Sequence, residues 1–307
     1  MKQIPIKQIE IEKQYVDLYA KREAIHVRAY KGFYRSLRVL SAWPLLLAYF
    51  LTPFITWGGR QAIWFDLPQR QFHVFGVTFW PQDFALLSGL LILSAFLLFF
   101  VTVFAGRVWC GYTCPQTVFT YVFMRAERFA EGDRNARVKL DSEPMSFTKL
   151  RKRALKHFLW LIISAATALS FVGYFTPIRE LSSLIYNFDL GVWEAWWLGF
   201  FLIATYVNAG WMREQVCIYM CPYARFQAVM FDTNTLIVTY DESRGEPRGK
   251  GSRNKVVVDE QTGEPLGDCI DCGICVAVCP VGIDIRDGLQ YECISCAACV
   301  DACNEVM

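Results

Sequence analysis

Charge is scarce in this chain of 307 residues: Asp, Glu, Lys and Arg make up 20% while hydrophobic residues reach 54%. A typical soluble domain is roughly 25% charged, so a fully soluble globule is not expected. The net charge is only +2 and no long block of one sign occurs. Neither a nucleic-acid-binding face nor a charged interaction tail has support. Histidine is rarer still. His26, His73 and His157 are the three present, and none lies in the interior of a long apolar run, which argues against a pair of axial haem ligands within a helix bundle. No G-x-G-x-x-G occurs, so dinucleotide binding is not expected. A cleavable leader is missing as well: the first 38 residues hold nine Lys or Arg and no apolar core, and read as a basic, partly helical segment.

What is abundant is apolar length. Uncharged runs of 21, 23 and 22 residues cover 39–59, 84–106 and 157–178, each long enough as a helix to cross about 30 Å of hydrocarbon. A shorter candidate runs from Trp193 to Met212 with Glu194 at its edge. Four transmembrane helices are expected, with tryptophans at the span ends acting as interfacial anchors. Of 31 Lys and Arg, 28 fall in segments 1–38, 107–156 and 213–307, which places these on the cytoplasmic side. The stretch Val108–Met124 is also uncharged, but its Pro115 and the eleven cations of 107–156 favour an interfacial or re-entrant helix over a span. The reading is an α-helical integral membrane protein: a basic segment 1–38, a four-span membrane domain 39–231, and a small α+β ferredoxin-like domain 232–307. The last part holds only Tyr240 and Tyr291 of the 48 aromatics but eight of the twelve cysteines. A Gly, Pro and charge-rich stretch, Asp241 to Gly251, reads as a solvated connector, since its Gly-Lys-Gly-Ser fails the phosphate-loop spacing.

All twelve cysteines fall on the cytoplasmic side of this topology, where structural disulfides are not expected. Cys269-x2-Cys272-x2-Cys275-x3-Cys279-Pro280 is followed by Cys293-x2-Cys296-x2-Cys299-x3-Cys303. Triplets of this spacing wrap three corners of a 4Fe–4S cube, and the distant fourth cysteine closes the other cube. The first cluster is assigned Cys269, Cys272, Cys275 and Cys303, and the second Cys293, Cys296, Cys299 and Cys279. Zinc ribbons use C-x2-C pairs, not triplets. Two further sites repeat the pattern C-x-Y-x-C-P: Cys110 with Cys114, and Cys217 with Cys221. The matched pairs suggest duplicated helical hairpins meeting at the inner membrane surface. Their four thiols suit copper, a further cluster, or a cycling dithiol, and spacing leaves these open.

The two C-x3-C-P pairs, the segment Tyr240 to Gly249 (YDESRGEPRG) and the run from Gly267 through the second cluster motif closely resemble the CcoG family. That family, also called FixG or RdxA, is the accessory protein of cbb3-type cytochrome c oxidase. The resemblance implies a multi-pass protein of the bacterial inner membrane, embedded in lipid, with two 4Fe–4S clusters. It also implies cupric reductase activity supplying Cu(I) for the oxidase. The expected partners are a cytoplasmic electron donor and oxidase assembly factors, with no nucleic acid, and Cu(II) is the expected substrate at Cys110, Cys114, Cys217 and Cys221. Members of that family continue into another span and a periplasmic immunoglobulin-like domain, so a chain ending at Met307 is expected to be one part of the longer protein. Two other readings are a quinol-linked electron-transfer subunit, resembling the membrane ferredoxins of nitrate and nitrous-oxide reductase systems, and a non-enzymatic assembly scaffold or redox sensor.

Overall fold

A computed structural model describes residues 25–249 and 265–306. Positions 1–24 of the basic segment, the 250–251 end of the connector and 252–264 of the expected ferredoxin-like domain lie outside the described residues. Helix α1 spans Phe33–Leu51 and ends in a single 3-10 turn, Thr52–Phe54. The span expected over 39–59 therefore begins at 33 and stops at 54. Charge does not end the helix at its start because the buried Arg38 guanidinium lies near Tyr30 and sits 5.7 Å over the Tyr121 ring. At its other end Gly58 and Gly59 adopt φ of 60° and 85°, a conformation closed to most residues. They turn the chain from β1 (Thr56–Trp57) into β2 (Arg60–Gln61).

A three-stranded antiparallel meander follows, β3 (Ile63–Asp66), β4 (Gln71–Val74) and β5 (Val77–Phe79), in register Asp66 to Gln71 and Val74 to Val77. His73 is buried in it, 2.9 Å from the Thr78 hydroxyl, and is a structural residue. Gln61 ties the small sheets to the helices by donating to the Gly173 carbonyl at 2.7 Å and accepting from the Ile178 amide at 3.0 Å.

Helix α2 (Phe84–Ala105) matches the second expected span, and none of its most apolar window is buried within the protein. Helices α3 (Val108–Tyr112) and α4 (Pro115–Glu131) come next, broken by Pro115, with α5 over Arg134–Ser142. Helix α6 covers Phe147–Val172, ten residues ahead of the expected start at 157. Its early cations are accommodated without interrupting it: Lys149 donates to the Glu143 carbonyl at 2.5 Å, and Lys156 pairs with Glu131 at 2.7 Å. After α7 (Ile178–Tyr186), α8 spans Val192–Thr205 and passes into a π-helix, Tyr206–Met212. Three helical segments, Phe33–Phe54, Pro81–Ala105 and Phe147–Val172, are long and apolar enough to cross a membrane. The fourth expected span is helical throughout, but its α-helical part is only 14 residues, because the backbone ladder lengthens to i→i+5 at Tyr206.

Helix α4, α6 and the π-helix meet around Phe123, Trp160 and Ala209. Gly210 is required there, since a Cβ would lie 2.9 Å from the Trp160 ring. Beside this core Glu127, 5% exposed, is held by Arg213 at 2.9 Å and Arg137 at 3.1 Å. A second π-helical turn, Val216–Met220, leads into α9 (Pro222–Val229).

The C-terminal part contains α10 (Glu242–Gly245), α11 (Ile274–Ala277), a 3-10 turn at Ile285–Asp287 and α12 (Ala298–Val306). Among its described residues no strand ladder forms, in contrast to the expected α+β character, and the sheets lie at 56–79 instead. The Val281, Gly282 and Ile283 amides lie close enough to Cys279, and the Ser295 amide to Cys293, to oppose the rise that burial causes in these thiols. This part is docked on the helices. The buried Asp301 carboxylate accepts the Arg35 amide at 2.7 Å and the Tyr34 amide at 3.1 Å, capping the open N-terminus of α1. A Cβ on Gly32 would overlap that carboxylate.

Two outcomes test this architecture. Asp301→Ala is expected to weaken docking by about 1 kcal/mol, read as faster amide exchange in α12 and in the first turn of α1. Glu127→Ala leaves Arg137 and Arg213 without their shared anion and is expected to cost about 3–5 kcal/mol, read as a lower unfolding midpoint in detergent.

Candidate functional site

The two cysteine loops share one backbone device. Asp271 and Gly273 flank Cys272 with φ of 51° and 64°, and Ser295 and Ala297 flank Cys296 with φ of 50° and 54°. Alternation of left-handed and ordinary residues turns successive N–H groups into a concavity that receives an anion. Three of the four are non-glycine residues, for which this conformation is unfavourable, so the loops are held open by their surroundings.

A cavity of about 270 Å³ is lined by Cys269, Cys272, Cys275 and Cys303, with Cys299 also on its wall. A smaller one of about 20 Å³ is lined by Cys279, Cys293, Cys296 and Cys299, with Cys275 between the two. Cys303 thus sits with the first loop and Cys279 with the second. The electrostatics agree: burial and then the neighbouring Cys269 and Cys272 push up the Cys303 thiol. Burial and then Cys296 raise Cys279 to about 11, while burial and its neighbours Cys296, Cys293 and Cys279 raise Cys299 to about 12. Thiols held neutral by burial become thiolates only when a metal centre supplies compensating positive charge. Among the described residues no three His, Cys, Asp or Glu side chains converge on a single-ion site. A cube holds its thiolates at separate corners, so eight thiols spread around two cavities fit two 4Fe–4S clusters better than zinc.

The first lobe is open, with Cys272 and Cys303 exposed, and its cations are paired. Arg286 bonds Asp284 at 2.6 Å and also Asp271, and Arg244 bonds Asp268 at 2.6 Å. The second lobe is enclosed. Cys296 is buried and packs with Ile294, Val278 and Val281 against Cys110, in a core that also receives Ile218 and Tyr223.

That core leads directly to the paired thiols. Cys110 lies in α3 and Cys114 is the N-cap of α4, while Cys217 lies in the second π-helical turn and Cys221 is the N-cap of α9. Each second cysteine immediately precedes a proline that starts a helix, so the repeated pattern is one repeated turn. Burial and then Cys114, Cys110 and Cys221 raise Cys217 to about 12, and burial chiefly raises Cys110, but in this conformation the four thiols do not converge as a preformed single-ion site. The Cys110 thiol donates to Gln227 Oε1 at 3.2 Å. Gly111 lies against the second loop so closely that a Cβ would stand 2.7 Å from the Ile294 carbonyl and 3.1 Å from the Cys296 Cα. The Tyr112 hydroxyl donates to the Cys296 carbonyl at 3.4 Å. Met220, beside Cys221, is exposed.

Sequence reasoning missed Arg107 and Gln227, which are 2% and 0% exposed and bonded to each other at 3.1 Å. Arg107 did carry a signal, as the cation that ends a 23-residue uncharged run three positions before Cys110. Gln227 carried none.

Residues 212–307 match the family of the 4Fe-4S dicluster domain, and residues 87–129 match a 4Fe-4S binding domain. Two ferredoxin-type regions are therefore present, and between them they take in all twelve cysteines. The dicluster match begins 20 residues ahead of the expected boundary at 232 (212 against 232) and so includes Cys217 and Cys221. The chain is 46% identical over 295 residues to nitrogen fixation protein FixG of Rhizobium meliloti, covering 94% of this chain and 56% of that protein. It is 43% and 44% identical to proteins RdxA and RdxB of Cereibacter sphaeroides, covering 94% of this chain and 61% of each. The chain spans about three fifths of the length of these curated relatives. No solved structure matches it.

The placement of the eight loop cysteines predicts a crossed loss of iron. Cys303→Ser should abolish the cluster of the open lobe alone, and Cys279→Ser that of the enclosed lobe alone. Each variant is expected to keep about half the iron and acid-labile sulfide, with one reduced-cluster EPR signal. Loss of the same signal in both variants would refute the crossing.

Proposed function

The chain belongs to the family of FixG, RdxA and RdxB over the length it spans, and from that premise we propose that it is a membrane-bound iron–sulfur protein that reduces Cu(II) to Cu(I). Cys269, Cys272, Cys275 and Cys303 would hold one cluster, and Cys293, Cys296, Cys299 and Cys279 the other. Bound there, two 4Fe–4S clusters supply single-electron chemistry, which is what the Cu(II)/Cu(I) couple requires.

The observation that carries the proposal is the dry contact between Gly111 and the Ile294–Cys296 backbone. It puts a thiol-rich site suited to soft copper directly against a ferredoxin-type loop, with no solvent layer between them. Cys110, Cys114, Cys217 and Cys221 bind the substrate in this reading, and thiolate ligands favour the Cu(I) product. Arg107 and Gln227 orient Cys110. Exposure of Cys272 and Cys303 leaves the far lobe accessible to a cytoplasmic electron donor. The three apolar helices, with a fourth crossing by α8 and its π-helix, fit a bacterial inner membrane, and the cysteine-bearing side is cytoplasmic because it carries most of the Lys and Arg. The Cu(I) product would serve assembly of a cbb3-type oxidase.

Replacing Cys110, Cys114, Cys217 and Cys221 together by Ser is expected to abolish copper binding and cupric reduction while both reduced-cluster EPR signals persist. In the unaltered protein, Cu(II) added anaerobically to the dithionite-reduced form should extinguish the Cu(II) and reduced-cluster signals in proportion. Full cupric reduction by the four-Ser variant would refute the assignment of these thiols.

A further inference from the structure

Arg107 is a buried cation whose counter-charge is not a carboxylate. Its Nε donates to Gln227 Oε1 at 3.1 Å and one terminal nitrogen donates to the Tyr291 carbonyl. Among the described residues no Asp or Glu pairs with it, although it is only 2% exposed. Every other buried arginine near this level has an anion or an aromatic face: Arg137 has Glu127, and Arg38 has Tyr30 and Tyr121. Removing a charge from water without a partner costs several kcal/mol, so the fold must supply negative charge at Arg107 by another route.

Thiols from two different places lie near it: Cys110, three residues on, donates to the same Gln227 Oε1 that accepts from Arg107, and the second loop reaches it through the Tyr291 carbonyl. Its carbonyl partner, Tyr291, lies two residues before Cys293, and its helix leads into Cys110. Gln227 fixes the geometry, because its single Oε1 accepts from both Arg107 and Cys110 while its amide donates to Thr102 at 3.3 Å.

We propose that Arg107 is the counter-charge shared by the paired thiols and the enclosed cluster lobe, a positioning residue that couples the two. The inference rests on the electron-transfer reading above, but not on copper being the substrate. A thiolate-ligated cube is anionic and becomes more so on reduction, so a fixed cation beside one of its ligands raises its potential. The paired thiols lie beside the same cation, so a metal cation taken up by them would add positive charge next to the enclosed lobe, which then accepts an electron more readily.

The test is an anaerobic redox titration of the cluster-loaded full chain in detergent, followed by EPR, with Cys303→Ser and Cys279→Ser identifying which signal belongs to which lobe. Arg107→Gln is expected to lower the reduction equilibrium constant of the enclosed cluster about tenfold, which for one electron is about 59 mV. The open-lobe cluster should keep its midpoint, and Arg107→Lys should stay near the unaltered protein. An unmoved enclosed midpoint in Arg107→Gln, equal shifts at both clusters, or an equal shift in Arg107→Lys would overturn the proposal. Should Arg107→Gln fail to retain the enclosed cluster, retention by Arg107→Lys supports a role for charge, and failure of both overturns it. Cupric reduction is not the readout, so loss of the copper assignment would leave the midpoint difference standing.

Discussion

The close packing of the Cys110–Tyr112 turn on the Ile294–Cys296 loop is the contact on which the rest of this molecule depends. It has no room for a side chain at Gly111, and it closes a core in which Val278, Val281, Ile294, Cys296, Ala298 and Ala302 are buried together with Cys110. Each fully buried aliphatic side chain contributes roughly 1.5–3 kcal/mol, so this seam is a strong joint between the helical part and the cysteine loops. Asp301 at the start of α1 and the Arg28 amide on the Ala277 carbonyl at 2.8 Å fasten the same two parts from other sides. The loops are consequently oriented by the helices, and the position of every loop thiol relative to the paired thiols follows from that orientation.

A second layer fixes the paired thiols relative to each other. Cys110 and Cys114 are carried by α3 and α4, Cys217 and Cys221 by the segment after the π-helix. The link between the two carriers is Glu127 of α4, whose carboxylate holds Arg213. Arg213 sits between the two π-helical stretches with φ of 47°, an unfavourable conformation for a non-glycine residue. Lys156 and Arg213 lie over the Trp160 ring at 5.3 and 5.5 Å, which adds cation–π attraction at a desolvated place. The bend that delivers Cys217 to Cys110 is thus held by charge, not by backbone preference.

Much of this was legible in the sequence because cluster-forming loops and long apolar helices are local patterns. The triplets ending in Cys279 and Cys303 carry their meaning in spacing alone, and α2 coincides with its uncharged run to within one residue. Helix ends were less legible. Charges were taken as boundaries, but Arg38, Lys149 and Lys156 find tertiary partners that let α1 and α6 run through them. The β-strands at 56–79 were not foreseen, because their side chains alternate weakly and depend on Gln61 bonding residues more than a hundred positions away. The fourth apolar run reads as an ordinary span, since nothing in Tyr206–Met212 announces a π-helix. Gln227 was invisible for the same reason: its role comes from three partners that only the fold brings together.

The two cysteine loops have the same spacing and the same backbone twist, so their difference lies in what surrounds them. The open lobe is lined by Arg244 and Arg286, but both are neutralised by Asp268, Asp284 and Asp271. The enclosed lobe has less solvent to stabilise added negative charge, and burial alone would make it the harder of the two to reduce. Electrons entering at the exposed thiols would then have no gradient leading inward. A cation held at the seam by Gln227 and the Tyr291 carbonyl, as proposed for Arg107, would oppose that order, because it lies between the paired thiols and the enclosed lobe. Identical ligands would become two different acceptors through the pairing state of neighbouring arginines: among the described residues Arg244 and Arg286 have carboxylate partners and Arg107 has none.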